Sequence, residues 1–364
     1  MTILGLMSGT SLDGVDLAIC RVAGGKDCSI LVAETVPYTE SWRQRLSTLE
    51  NATALEYAKA NVELGHYFGK IINDFLCDKN IKVDAIASHG HTIFHQPVSG
   101  ISPVGRDPVY GLTTQIGDGD SIVAETGLPV VCNFRALDVA LGGQGAPLVP
   151  IGDELMFSDF DACLNLGGIA NISFRDCNGV RVAFDICPCN MVLNRLAAQL
   201  GLDYDCDGDN ARKGSVNNYL SESLNNLEYY SIAYPKSLGK EWFVSEFWPV
   251  VESAGLPVED LLRTVTEHIA VQLAAVAHRH NLRTILVTGG GALNSFLIER
   301  IRALAPTLKV TIPDRLIVEY KEALIFALLG YLRIMQSVNT LSSVTGSRCD
   351  SVGGDICGVW SNKL

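Results

Sequence analysis

The chain has 364 residues and 48% apolar content, enough material for two cores of ordinary size, so a folded protein of two domains is expected. Lys and Arg number 28 against 40 Asp and Glu, a formal net charge of -12 with a pI near 5.0, which excludes a basic footprint for nucleic acid and disfavours an anionic membrane surface. Eleven cysteines are scattered without a Cys-x-x-Cys pair, which argues against a zinc ribbon or thioredoxin-like motif and for free thiols in a reducing compartment.

Met1-Thr2-Ile3-Leu4-Gly5 runs straight into a strand over 3–7, without the basic leader and long apolar stretch of a secretory signal, so the expected location is the cytoplasm. The turn Ser8-Gly9-Thr10-Ser11-Leu12-Asp13-Gly14 follows, and the alternating run after it completes a hairpin signature. Glycine lets the backbone take positive φ and approach a ligand closely, while Thr10 and Ser11 add hydroxyl donors that suit phosphate oxygens. A helix is expected over about 52–77 and a strand over 85–89. His89, His91 and His95 follow in a His-x-His-x-x-x-His set whose first two members would share one strand face, as ligands of a hydrolase metal do. No Asp or Glu accompanies them locally, so a hydrogen-bonded core role is favoured. A strand-rich crossover near 128–135 is expected to join the domains.

From Asp159 onward the theme repeats, with strands over 162–166, 171–175 and 180–184 and a helix over about 190–200, which reads as an approximate duplication of one α/β unit. The turn Asn165-Leu166-Gly167-Gly168-Ile169-Ala170-Asn171 parallels the first, and two such clamps suggest a nucleotide held between related halves. A third cluster, Gly289-Gly290-Gly291-Ala292-Leu293-Asn294, lies between an apolar strand and a helix capped by Asn294 or Ser295, a usual place for nucleotide groups. It lacks the last glycine of a Rossmann fingerprint, and no Gly-Lys-Ser/Thr triplet exists for a P-loop. The longest apolar run, 323–332, is about half the roughly 20 residues a membrane helix needs and reads as a buried helix. A strand-like stretch over 356–360 returns to the first domain, giving expected domains 1–130, completed by about 340–364, and 131–339.

Three glycine turns in this order on two α/β halves resemble the actin, sugar kinase and Hsp70 superfamily of ATP-binding folds. Gly5-Leu6-Met7-Ser8-Gly9-Thr10-Ser11-Leu12-Asp13-Gly14-Val15-Asp16 is similar to the N-terminal signature of the anhydro-N-acetylmuramic acid kinases. Ser88-His89-Gly90, Thr114-Gln115-Ile116-Gly117-Asp118, Gly142-Gly143-Gln144-Gly145-Ala146-Pro147-Leu148-Val149-Pro150 and Pro235-Lys236-Ser237-Leu238-Gly239 extend the match. The resemblance implies a duplicated ribonuclease H-like, actin-like α/β fold with a nucleotide cleft between its domains. It implies an enzyme that uses ATP and Mg²⁺ to convert 1,6-anhydro-N-acetylmuramic acid to N-acetylmuramic acid 6-phosphate in cell-wall recycling, with water opening the anhydro bond. By the same resemblance Asp185, at the end of a strand, is the general base. Gly9, Thr10, Ser11, Asp13, Gly14 and Asp16 wrap the β- and γ-phosphates, with Asp13 nearest Mg²⁺ through water. Gly167, Gly168 and Asn171 cover the opposite side, Gly289, Gly290, Gly291 and Ala292 the adenosine, and Arg135, Glu322 and Asn133 the sugar. Relatives commonly form homodimers.

Two departures stand out. The chain has Asp185-Ile186-Cys187-Pro188-Cys189-Asn190 where the family has Asp-Thr-Gly-Pro-Gly-Asn, and Asn133 where relatives carry Asp, so a close variant of the sugar is an alternative substrate. Other readings remain open at this level. Asp185 could cap a helix, Cys187 or Cys189 could be a thiol nucleophile, and Glu319 with Glu322 could form a solvated helix face. Two rival functions are a metal-dependent hydrolase centred on His89, His91 and His95, and a relative that binds ATP without catalysis.

Overall fold

The apolar run after Met1 forms β1 (Thr2–Ser8), and the glycine turn folds it back on β2 (Gly14–Val22), antiparallel from Thr2↔Arg21 to Ser8↔Val15. The computed structural model describes residues 1–9, 12–97 and 110–359, so Thr10, Ser11 and Trp360 lie outside the described residues. β3 (Cys28–Pro37) continues the antiparallel meander beside β2. β4 (Ala85–Gln96) and β6 (Val130–Cys132) add on the other side of β1, both parallel, and β5 (Leu112–Ile116) pairs antiparallel with the far part of β4. The helix Ala54–Cys77 begins with a capping box between Thr53 and Glu56 and buries Leu64, Phe68, Ile72 and Phe75, spaced three to four apart, in the core of this sheet.

The second sheet consists of β7 (Ala162–Leu166), β8 (Ile169–Arg175), β9 (Arg181–Pro188), β10 (Thr284–Thr288) and β11 (Lys309–Thr311). Its order is β11-β10-β7-β8-β9, with β7, β8 and β9 antiparallel and β10 and β11 parallel to β7. That is the same path, with the same strand directions, as β6-β4-β1-β2-β3 in the first sheet. The duplication is therefore real, and its unit is the ribonuclease H-like fold repeated as in actin-like proteins. β12 (Asp355–Cys357) pairs antiparallel with β6, so the C-terminal strand returns to the first sheet.

The chain divides into Met1–Met156 with Tyr320–Leu364, and Phe157–Glu319. These boundaries differ from those expected at 130/131 and 339/340. The stretch near 128–135 is no junction, because β6 is hydrogen-bonded into the first sheet at Ile86↔Val130 and Ala87↔Val131. The return comes inside the helix Arg315–Ile334, at Tyr320, where φ is -118° and ψ 17°. Beyond that kink the helix packs on β1 so closely that a Cβ on Gly5 would lie 2.8 Å from the Ala323 carbonyl carbon. Tyr320 lies in the charged run Glu319-Tyr320-Lys321-Glu322 that precedes the apolar stretch 323–332.

Candidate active site

In the first unit the glycine turn is closed by Leu12 N–H donating to the Gly9 carbonyl at 3.3 Å, with Leu12 itself left-handed at φ 61°. Asp13 is exposed at the turn, and Asp16 on β2 accepts from the Thr35 hydroxyl at 2.6 Å. Gly14 opens β2 where a Cβ would lie 2.6 Å from the Val36 carbonyl oxygen.

Arg135 is the centre of a second group in this unit. Its Nε and Nη2 lie 3.1 and 3.0 Å from His89 Nε2, and its Nη1 donates to the Gly145 carbonyl at 2.7 Å. His89 Nδ1 is 2.9 Å from the Gly90 carbonyl, which makes Nδ1 the protonated nitrogen and Nε2 the acceptor. Burial, then the adjacent guanidinium, hold His89 well below the ordinary imidazole range, so the ring is neutral. Burial also lowers Arg135 to about 10, with the Glu322 carboxylate acting the other way. Glu322 is pushed up by burial and secondarily by Asp16, against the pull of Arg135, yet its side chain keeps solvent-accessible surface. Thus Asp16, Arg135 and Glu322 are electrostatically linked. Glu319 lies before the Tyr320 kink and pairs with Arg315 at 2.7 Å, so the two glutamates do not form one regular charged face.

Asn133 has φ 56°, a left-handed position that asparagine tolerates better than most residues, and its amide donates to Asp355 on β12 at 2.7 Å. The three histidines are not assembled as ligands. A bulge at Gly90, φ 72°, breaks the two-residue period between Ser88 and His91. His89 faces Arg135 and Phe326, His91 is 2.8 Å from Ser8 Oγ, and His95 is 3.0 Å from Thr113 Oγ1. Among the described residues no group of three or more His, Cys, Asp or Glu side chains could hold a metal ion.

In the second unit Asp185 sits inside β9 rather than at its end, because Cys187 and Pro188 continue the pairing with Ala170 and Ile169. Asn171 is its cross-strand partner in the register. One carboxylate oxygen, Oδ2, accepts the Leu238 N–H at 2.8 Å, and the Asp185 carbonyl accepts the Tyr229 hydroxyl at 2.6 Å. Lys236 completes the wall, with Nζ 3.0 Å from the Tyr229 carbonyl and 4.3 Å from the Tyr229 ring centre. Burial raises the Asp185 carboxyl above its usual range and the Leu238 N–H only partly offsets it, so the group holds a proton more readily than a surface aspartate. The helix Asn190–Ala197 has Cys189 at its N-cap position, so Asp185 is not that cap.

The Gly167 and Gly168 carbonyls accept the amides of Asn190 at 3.0 Å, and of Cys189 and Met191 at 2.9 and 3.0 Å, tying the second turn to the start of that helix. Gly289, at φ 81°, sits where a Cβ would meet the Asn165 side chain and lie 2.9 Å from the Leu166 carbonyl. The second and third glycine clusters are thus packed on each other, with Ala292 buried beneath them. Neither Cys187 nor Cys189 has positive φ, and Cys189 lies at φ -127°, so replacing the family's glycines introduces no left-handed strain. Both thiols are fully buried, and burial pushes Cys189 up to about 12 and Cys187 well above its usual range, which disfavours the thiolate that a nucleophile requires. The sequence had marked Pro235-Lys236-Ser237-Leu238-Gly239 without a role, and the fold makes this segment the wall of Asp185.

Duplicated ribonuclease H-like units whose first hairpins carry glycine turns define the actin-like ATPase and sugar kinase class of fold. The family description anhydro-N-acetylmuramic acid kinase matches residues 1–358. Relatives bearing that name are 33% identical over 366 residues in a Sulfurovum species (97% of this chain, 98% of the relative) and 36% over 368 residues in Vibrio cholerae (96% and 96%). A third, in Haemophilus influenzae, is 33% identical over 373 residues (95% and 94%). The chain belongs to the anhydro-N-acetylmuramic acid kinase family. No helix among the described residues is long and apolar enough to cross a membrane.

Proposed function

We propose that the chain converts 1,6-anhydro-N-acetylmuramic acid, ATP and water to N-acetylmuramic acid 6-phosphate and ADP in the recycling of cell-wall sugars. The observation that carries the reading is Asp185, a carboxylate with raised proton affinity held by one backbone N–H, in a chain of this family. In the proposed step a water gives its proton to Asp185 while its oxygen bonds to the anomeric carbon. The bond from that carbon to the bridging oxygen breaks, and the bridging oxygen takes the γ-phosphoryl group as ADP departs. A carboxylate whose pKa burial has raised suits this role because it takes the proton of the attacking water more readily than a surface aspartate.

Gly9, Asp13, Gly14 and Asp16, together with Thr10 and Ser11, are assigned to nucleotide phosphates, and Gly167, Gly168 and Asn171 are assigned to nucleotide binding in the second unit. Gly289, Gly290, Gly291 and Ala292 are assigned to adenosine. Mg²⁺ fits the exposed carboxylate of Asp13, since this ion keeps several waters and needs only one or two carboxylates besides the phosphates; when bound it neutralises charge on the transferring group. Arg135 and Glu322 are assigned to the sugar. Three of the five N–H groups of Arg135 are directed to His89 and Gly145, and the other two match the acid group that muramic acid carries. The left-handed Asn133, bonded to Asp355, is assigned to the shape of this loop rather than to substrate choice. A cytoplasmic homodimer is the proposed form.

The test is ADP release and sugar-phosphate formation by purified protein given ATP, Mg²⁺ and the anhydro sugar, with ordinary N-acetylmuramic acid as comparison. Turnover of the anhydro sugar without nucleotide, or no ADP release above the sugar-free background, overturns the proposal.

A further inference from the structure

We propose that Asp138 is a positioning residue for the sugar, acting through Gly145 and Arg135; the inference rests on the assignment of Arg135 to the substrate. Asp138 lies in the short helix Ala136–Ala140, is fully buried, and is remote from both glycine turns in sequence. Its Oδ2 accepts the Gly145 N–H at 2.7 Å, and its Oδ1 accepts the hydroxyl of the buried Thr345 at 2.7 Å. Its own carbonyl accepts the Gly143 N–H at 2.8 Å, and Gln144 N–H reaches the Thr345 carbonyl at 2.8 Å. One carboxylate therefore fastens the turn 142–145 on one side and the C-terminal segment on the other.

The turn is built around that carboxylate. A Cβ on Gly143 would lie 2.7 Å from Asp138 Cγ and 2.7 Å from Ser347 Cβ, so only glycine admits so close an approach. Gly145 is left-handed at φ 65°, a conformation open to glycine, and with its N–H held by Asp138 its carbonyl is aimed at Arg135 Nη1, 2.7 Å away. With Nε and Nη2 on the neutral His89 ring, that carbonyl is the second fixed point of the guanidinium. Two points fix the plane of a guanidinium, and the plane determines where its two remaining N–H groups point. Losing the Gly145 anchor leaves the cation in place on His89 but free to turn, which weakens directional recognition of an anion without touching the reacting atoms.

The experiment is steady-state kinetics on the full chain with Asp138→Ala, Asp138→Asn, Thr345→Val, Arg135→Ala and the double variant Asp138→Ala/Arg135→Ala, each checked by thermal melting. Asp138→Ala is expected to raise the KM for the anhydro sugar roughly ten- to hundredfold, the scale of one buried polar group left unpaired, with the KM for ATP unchanged. Asp138→Asn is expected to restore most of the affinity, because its amide oxygen can still accept from Gly145 while its NH₂ donates to the Thr345 hydroxyl. In the Arg135→Ala background the Asp138→Ala effect is expected to vanish, a result that a general loss of structure does not give. If Asp138→Ala fails to fold, Thr345→Val, which removes one of the two donors, is expected to show a smaller rise in the same KM. An effect of Asp138→Ala that persists undiminished without Arg135, or that raises both KM values together, overturns the positioning role. If Arg135→Ala alone leaves the sugar KM unchanged, the assignment of Arg135 fails instead, and the two failures are thereby distinguished.

Discussion

Replacing Asp185 with Asn keeps the shape of the group and an oxygen able to accept the Leu238 N–H at 2.8 Å, but removes the charge and the capacity to take a proton. A positioned general base is worth about 10²–10⁴-fold in rate, so kcat is expected to fall by that factor while the KM for ATP stays near its wild-type value. The pH dependence separates this from a general disturbance. Asp185 works ionised and its pKa is raised by burial, so wild-type turnover is expected to fall on acidification through a pKa above the usual carboxylate value of about 4. The Asn variant is expected to lose that limb. Stability moves the other way. A carboxylate with a raised folded pKa contributes stability below its unfolded pKa that is lost as pH rises through the folded one, so at neutral pH the ionised group is a cost and the neutral Asn variant is expected to melt higher. Turnover and thermal melting across about pH 5–9 measure both. Full turnover in the variant, or an unchanged acid limb, refutes the role of Asp185 as base.

Gly289→Ala is expected to destabilise the protein by about 1–3 kcal/mol through its φ of 81° and to raise the KM for ATP, as measured by denaturant unfolding and kinetics. His89→Phe removes the acceptor for two Arg135 N–H groups and is expected to cost about 1–3 kcal/mol in the same unfolding assay, with a rise in the sugar KM. Burial depresses His91 to about 4 and His268 to about 3, so the unfolded chain protonates first and stability is expected to fall as pH drops below about 6.5; His268→Gln should flatten part of that slope in thermal melts. Chelation of divalent cations is expected to abolish phosphoryl transfer and added Mg²⁺ to restore it, as measured by ADP release.

Hairpins and their turns were readable because their signals are local. The apolar run 3–7 with a glycine turn behind it becomes β1 and β2, and the same pattern at 162–171 becomes β7 and β8. The capping residue Asn294 announces the helix Ser295–Leu304 for the same reason. The hydrogen-bonded role favoured for the histidines holds, but the shared strand face expected of His89 and His91 does not form, because a single bulge at Gly90 removes the alternation on which it depends.

The sequence by itself determined the kind of unit, its repetition and the chemical identity of the candidate groups, since periodicity, turn glycines and residue type are properties of short stretches of chain. Tertiary structure alone decided what surrounds each group. Leu238, 53 residues from Asp185, supplies the N–H that holds its carboxylate, and Gly145 and His89, 10 and 46 residues from Arg135, fix its guanidinium. It also moved the unit boundaries to 156/157 and 319/320 and buried two conspicuous cysteines in the core. The physical reason is common to all of these: desolvation and hydrogen-bond partners depend on which distant segments pack together, and no local pattern specifies that packing.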